Sequence, residues 1–298
     1  MIFLIDASVY VFRAYHSMLP DMRDREGNPA HAVFGFARFV GDLIERVRPS
    51  QMAVAFDARR AGSYRNRIYP PYKANRERAP ADLVLQLEHC REVCRCLGLA
   101  VFVEPEYEAD DIIGTLARVM HGCGVRSAFI TRDKDLAQLV RDGDLFWDFG
   151  AREQFGYHDI ERHFGVRPER FADYLALAGD EVDNIPGVPG IGHCTAASLM
   201  RAFSSLEELY ADLPRVARLK LRGAASLSER LSEHRESVFL ARQLTRIACD
   251  LSLNVAAASA LRRRPPDLPA LSQLYDRLGF GPFLRRQGER LAQLPAAL

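Results

Sequence analysis

The first 148 residues alternate short apolar runs with amphipathic stretches, and this alternation constrains the fold more than any other feature of the chain. Ile2 to Ile5, Met52 to Phe56, Ala100 to Val103 and Arg126 to Ile130 read as strands. Between the first two, Val33, Phe36, Val40, Leu43, Ile44 and Val47 recur at the spacing of one buried helix face. A second helix is predicted over about Leu83 to Leu97. Strands separated by helices form crossover units, so the expected class is α/β, with a mostly parallel central sheet flanked by helices.

After Trp147 the strand signals fade, and short helices are predicted at about Asp159 to Phe164, Pro168 to Ala178, Thr195 to Phe203 and Ser205 to Leu213. Gly187, Pro189, Gly190 and Gly192 impose a tight turn directly before the Thr195 helix. Arg262 to Pro269, with three arginines and three prolines, reads as a surface connection to a last helical piece. The expected division is an α/β unit at 1–165 and a helical region at 166–298.

With 298 residues and 48% hydrophobic content the chain can bury a large core. No stretch approaches the ~18 apolar residues of a membrane span, and the opening apolar run meets Asp6 without a basic leader, so a cytoplasmic protein is expected. The six cysteines are scattered and lack the paired spacing of a zinc site, which fits reduced thiols. A net charge of +1 conceals an uneven distribution. Arg59, Arg60, Arg65, Arg67, Lys73, Arg76 and Arg78 face a single acid, Glu77, within twenty residues, while carboxylates gather elsewhere.

Those carboxylates stand where chemistry is expected. Asp6 and Asp57 close the first two strands, and Asp133 and Asp135 follow the strand that ends at Ile130. Ligands of open parallel sheets bind at the carboxyl ends of the strands, so these acids should converge. Glu108, Asp110 and Asp111 open the Ile112 helix on the same rim, and Asp180 and Asp183 stand three apart in Gly-Asp-Glu-Val-Asp-Asn. Helix capping accounts for any one of them. Nine acids in one crevice would repel one another without hard cations, and oxygen donors without His or Cys favour two Mg2+ ions, with Mn2+ as a substitute. Two such ions suit phosphodiester hydrolysis.

The basic segment begins directly after Asp57 and carries Tyr64, Tyr69 and Tyr72. Cations interleaved with aromatics suit a single nucleic-acid strand, although a solvated charged loop would have similar composition. The glycines of Gly187-Val-Pro-Gly-Ile-Gly192 let backbone approach a phosphate that the next helix can bind, whereas a plain helix–helix turn is the alternative. His16, His31 and His193 receive no catalytic role.

Taken together, Leu4-Ile-Asp-Ala-Ser, Val54-Ala-Phe-Asp-Ala, Tyr69-Pro-Pro-Tyr-Lys-Ala-Asn-Arg76, Tyr107-Glu-Ala-Asp-Asp111, Thr131-Arg-Asp-Lys-Asp135, Gly179-Asp-Glu-Val-Asp-Asn184 and the glycine turn resemble the 5′ to 3′ exonuclease and flap endonuclease family. The resemblance is to the 5′ nuclease domain of bacterial DNA polymerase I, and a free-standing nuclease is expected. It implies that Asp6, Asp57, Glu108, Asp110 and Asp111 serve one metal and Asp133, Asp135, Asp180 and Asp183 a second. It also implies that Arg13 and Lys73 contact the scissile phosphate, that Tyr72 stacks near the 5′ end, and that Arg65 and Arg76 belong to a helical arch at about 58–80. A helix-hairpin-helix element at about 185–204 would then bind duplex through Gly187, Gly190, Gly192 and Thr195. Cys194 stands where the family places a lysine, which removes one expected phosphate contact. The implied substrate is DNA with a 5′ flap or 5′ end at a junction, cut by a monomer working with a polymerase or ligase in trans. A ribonuclease with a related metal core, a non-cutting junction binder and a small-molecule phosphatase are the alternatives to test.

Overall fold

Parallel strands need crossovers, and the chain supplies them with helices whose apolar faces cover both sides of one sheet. The computed structural model describes residues 1–58, 62–221 and 223–294. The elements run β1 (Ile2–Asp6), α1 (Ala7–Ser17), α2 (His31–Val47), β2 (Met52–Asp57), α3 (Tyr64–Ile68), α4 (Ala81–Cys96), β3 (Ala100–Glu104), α5 (Ala109–Gly122), β4 (Ser127–Ile130), β5 (Leu145–Asp148) and β6 (Glu153–Phe155). The helical part follows as α6 (Tyr157–Phe164), α7 (Phe171–Ala178), α8 (His193–Ala202), α9 (Leu206–Ala211), α10 (Leu213–Val216), α11 (Ala224–Glu233), α12 (Arg235–Thr245), α13 (Leu268–Arg277) and α14 (Pro282–Gln293).

The sheet has the order β3-β2-β1-β4-β5-β6 and is parallel except for β6. Leu4 lies between Ala53 and Phe129 in register, which aligns the carboxyl ends of the central strands. The two-residue period sends Ile2, Leu4, Ala53 and Ala55 toward α5 and the helical part, and Ile5, Met52, Val54 and Phe56 toward α1, α2 and α4. Strands β5 and β6 and helices α1, α10, α11 and α12 add to the predicted elements.

The 262–269 stretch is more than a surface connection. Its backbone donates from Arg263 to Ser50 O (3.0 Å), from Arg264 to Gly98 O (2.9 Å) and from Asp267 to Cys96 O (2.8 Å), and the Arg263 side chain is buried. This pairing carries α13 and α14 back onto α4 and α2, where Gln287 Nε2 donates to Asp42 Oδ1 at 2.9 Å and Arg290 pairs with Glu45 at 2.7 Å. The basic segment, expected as a helical arch, contains the five-residue α3 and then turns through Asn75. Its Arg59 and Arg60 lie outside the described residues. Among the described residues no helix is long and apolar enough to cross a membrane.

Candidate metal and DNA site

The aligned strand ends bring the predicted acids to one rim. Asp6 closes β1 and caps α1, Asp57 closes β2, Glu108 caps α5 just beyond β3, and Asp133 caps the 3-10 turn Lys134–Leu139 beyond β4. Thr131 ties two of them together: its hydroxyl donates to Asp6 Oδ2 at 2.9 Å and accepts from the Asp133 N–H at 2.9 Å. Asp57 Oδ1 accepts from the Ala109 N–H at 2.9 Å, joining the end of β2 to the start of α5.

Burial, with the nearby charges of Asp57 and Asp133, pushes the Asp6 carboxyl up to about 8 against the lowering hydrogen bond from Thr131. Burial and the charges of Asp133 and Asp6 likewise hold Asp110 well above the usual carboxylate range. Asp133 is raised chiefly by burial, and Asp135 strongly so by burial and by Asp133. Asp135 Oδ1 is buried and accepts no hydrogen bond. These acids form a concentration of negative charge that the protein's own groups leave incompletely compensated.

A second group sits where the basic segment meets the turn after α7. Lys73 Nζ lies 2.8 Å from Glu108 Oε2 and 3.6 Å from Asp183 Oδ2, and Arg76 pairs with Asp183. Burial works against the Lys73 charge, but Glu108 and Asp183 outweigh it and hold its pKa above the usual value. Burial also raises Asp183, and Lys73 and Arg76 reverse that into a net lowering. The two segments interlock as well: the Lys73 backbone N–H donates to Asp183 O at 2.9 Å, and the side-chain amides of Asn75 and Asn184 donate to Glu181 O at 2.8 Å and Pro71 O at 2.7 Å. Asp180 divides its oxygens. One caps the turn through the Val182 N–H at 2.9 Å, and the other receives Lys134 Nζ at 2.6 Å.

The donors are carboxylate oxygens, as Mg2+ or Mn2+ requires, and the raised acids with the orphaned Asp135 oxygen fit a cation. Among the described residues no three acids already converge on one point at ligating distance, and Lys73 and Lys134 pair with Glu108 and Asp180.

Several expected roles require correction. Arg65 is buried at 2% exposure and forks onto Asp111 at 2.7 and 2.8 Å, so it is a core ion pair rather than a DNA contact. Asp111, fully buried in the same pair, is not placed as a metal ligand. Tyr72 is 3% exposed, with its hydroxyl 3.1 Å from both Glu108 and Asp183, so it has no free face for a base. Gly187 serves close packing: a Cβ there would fall 2.4 Å from the Ala178 carbonyl. Gly190 takes a left-handed conformation with φ 78° and is covered by Arg230, which donates to Pro189 O at 2.8 Å.

Gly192 is open to solvent at the start of α8, with Thr195 half-buried in its first turn, so an anion can reach this terminus. Arg13 lies beside Asp148 at 3.7 Å, at the end of β5. Sequence reasoning missed Thr131, Lys134 and Arg230 as site residues. The first two were visible between Ile130 and Asp135, whereas Arg230 is distant in sequence and carried no signal.

Residues 1–165 match the model described as the 5′-3′ exonuclease N-terminal resolvase-like domain, and residues 166–268 the model described as the 5′-3′ exonuclease C-terminal SAM fold. The chain belongs to the 5′-3′ exonuclease family. Its relatives include the 5′-3′ exonuclease of Aquifex aeolicus, 32% identical over 95% of this chain and 94% of that protein. DNA polymerase I of Pseudomonas aeruginosa is 39% identical over 94% of this chain, which spans only 31% of that longer protein. The fold is similar to that of T5 5′-exonuclease with bound zinc, at a TM-score of 0.69, 19% identity and 98% coverage of both chains. It is also similar to the catalytic core of Rad2 in complex with DNA, at a TM-score of 0.63 and 15% identity over 98% of this chain and 91% of that one.

Proposed function

We propose that this 5′-3′ exonuclease family member hydrolyses DNA phosphodiesters at 5′ ends and 5′ flaps, with two Mg2+ ions held by its carboxylate rim. The observation that carries the reading is the group of acids at the strand ends, raised by burial and mutual charge, beside the Lys73 ammonium. Asp6, Asp57, Glu108, Asp110, Asp133, Asp135, Asp180 and Asp183 are the residues that would hold the ions. When bound, divalent cations neutralise charge on the phosphodiester and ease deprotonation of water.

The chain's own residues do the rest. Thr131 orients Asp6 and fixes the Asp133 backbone, so both carboxylates face the rim. Lys73 stabilises negative charge that develops on the phosphate. Arg76 and Arg13 flank the rim and attract the strand, and the open terminus of α8 at Gly192 holds a duplex phosphate without reading its base. Residues 1–165 act as the catalytic core, joined by α13 and α14, and the helical region from 166 to about 261 acts as the duplex-binding region. The same reading takes the protein as a cytoplasmic monomer, with a polymerase or ligase acting in trans.

The test is cleavage of an end-labelled 5′-flap duplex with Mg2+ and with EDTA, using Asp133→Ala as the control for a contaminating nuclease. Cutting near the junction that needs metal and disappears in the variant supports the reading. Tight flap binding without cutting under Mg2+ or Mn2+ replaces it with a junction-binding role, and equal cutting of a matched RNA flap replaces it with a ribonuclease.

A further inference from the structure

We propose that Arg65 and Asp111 form a positioning pair for the metal-binding rim, and that Asp111 itself holds no cation. The kinetic part of this inference rests on the nuclease reading; the metal-count part does not.

An ionised carboxylate offers about four acceptor positions. All of those on Asp111 are taken. Oδ2 accepts from Arg65 Nη1 at 2.7 Å and from the Glu108 N–H at 3.1 Å, and Oδ1 accepts from Arg65 Nη2 at 2.8 Å and from the Ala248 N–H at 2.8 Å. The residue is fully buried, so a cation would have to displace a hydrogen bond without water to replace it. Its neighbour Asp110 has the opposite surroundings, with repelling acids close by, and Asp135 keeps an oxygen without a donor.

The guanidinium is equally committed. Arg65 Nε donates to Leu244 O at 2.8 Å and Nη2 to Arg246 O at 3.1 Å, while Nη1 lies 3.6 Å from Glu108 Oε2. The pair therefore joins three pieces of chain that are far apart in sequence: α3 of the basic segment, the first turn of α5, and residues 244–248 at the end of α12. Glu108 sits at the centre of this junction. Its N–H is held by Asp111, and its side chain receives Tyr72 and Lys73. The pair thus sets where Glu108 and Lys73 stand without touching substrate, and loss of groups that hydrogen-bond to a metal site's own side chains typically changes activity by about 10- to 100-fold.

The experiment is a double-mutant cycle with Arg65→Gln, Asp111→Asn and both together, plus Arg65→Lys as a conservative variant that keeps the charge. Each folded variant, checked by circular dichroism at the assay temperature, is titrated calorimetrically with Mn2+ and assayed on a 5′ flap. The expected result is an unchanged number of bound Mn2+ ions in Asp111→Asn. In each single variant kcat falls about 10- to 100-fold, KM stays within about twofold, and the double variant is no worse than the poorer single. Arg65→Lys recovers part of the loss.

Loss of one Mn2+ ion in Asp111→Asn would make it a ligand and overturn the proposal. Independent losses that multiply, with KM raised in Arg65→Gln, would make Arg65 a DNA contact. Full turnover in the folded variants would reduce the pair to a stabilising role. Absence of cleavage by the unsubstituted protein would sink the nuclease reading, yet the Mn2+ count would still decide the role of Asp111. An unsubstituted protein that binds no Mn2+ would end both.

Discussion

Lys134 Nζ lies 2.6 Å from Asp180 Oδ2 and 3.7 Å from Asp135 Oδ1, so a protein cation stands between two acids that are candidate metal ligands. Burial opposes the Lys134 charge, but Asp135 and Asp180 outweigh it and hold its pKa above the usual value. A divalent cation entering there must compete with this ammonium. Lys134→Met should lower the stability of the metal-free protein by about 1–2 kcal/mol, a figure reduced for the part-exposed ammonium. It should also enlarge the rise in Tm on adding Mg2+, since tighter binding to the folded state stabilises it more. An Mg2+ shift equal to that of the unsubstituted protein would show that Lys134 and the ion do not compete.

The metal-free protein should become less stable as pH rises from about 4 to 8. The folded pKa of Asp6 is about 8 and those of Asp110, Asp133 and Asp135 are also raised. Unfolded aspartate titrates near ~3.9. Over that interval the folded state binds more protons, and stability falls wherever this is so. Asp183, whose pKa is lowered, contributes in the opposite sense, with stability present above the unfolded pKa and lost on acidification. Asp24, Glu106, Asp159, Glu207 and Glu208 are lowered too, but they are largely exposed and contribute only at the acid end of the interval, so the buried rim acids make the decline dominate, by on the order of a few kcal/mol. Urea midpoints at pH 5 and pH 8 in EDTA should show it, and Mg2+ should flatten the slope. A higher midpoint at pH 8 in EDTA would mean that the acids ionise without cost.

Lys73→Ala should reduce single-turnover cleavage by about 10²- to 10³-fold, the scale of losing one charge-stabilising donor. Flap affinity, measured by fluorescence anisotropy in Ca2+, should change far less, because Arg76 and the α8 terminus remain. A variant that binds weakly and cuts at the normal rate would make Lys73 a tether only.

Two glycines of one turn should respond differently. A Cβ at Gly187 would meet backbone atoms of Ala178 at 2.4 Å, whereas one at Gly192 would meet nothing within 4 Å. Gly187→Ala should destabilise the fold by about 1–3 kcal/mol, the usual scale of overpacking. Gly192→Ala should leave Tm nearly unchanged. Equal losses in thermal melts would show that the turn relaxes around either side chain.

The strands and the acids at their ends were legible because both follow from local patterns. Val54 and Phe56 announce a buried strand, and a strand end in a parallel sheet positions whatever acid comes next. Glu153–Phe155 is too short and polar to announce a strand; antiparallel pairing with β5 makes it one. Tyr72 and Arg65 misled in a different way. A run of cations and tyrosines reads as a surface for nucleic acid, but Arg65 finds Asp111 46 residues away and Tyr72 finds Asp183 111 residues away. Buried charge compensation of that kind is set by tertiary proximity and leaves no mark in local composition. Lys73 and Arg76 share the segment and remain partly exposed, so the basic stretch divides between core and rim.

The return of α13 and α14 onto α2 and α4 bears on how the protein comes to exist. A ribosome delivers α2 early, yet Leu43 and Ile44 belong to a core that also contains Leu271, Leu274 and Leu284. During synthesis the faces of α2 and α4 that receive α13 and α14 stay bare until those two helices have been made. The nascent α/β unit therefore carries a sticky apolar face until the segment from 268 onward is made. A clone stopped near residue 261 would be expected to need chaperones or to precipitate, even though every carboxylate of the rim is present.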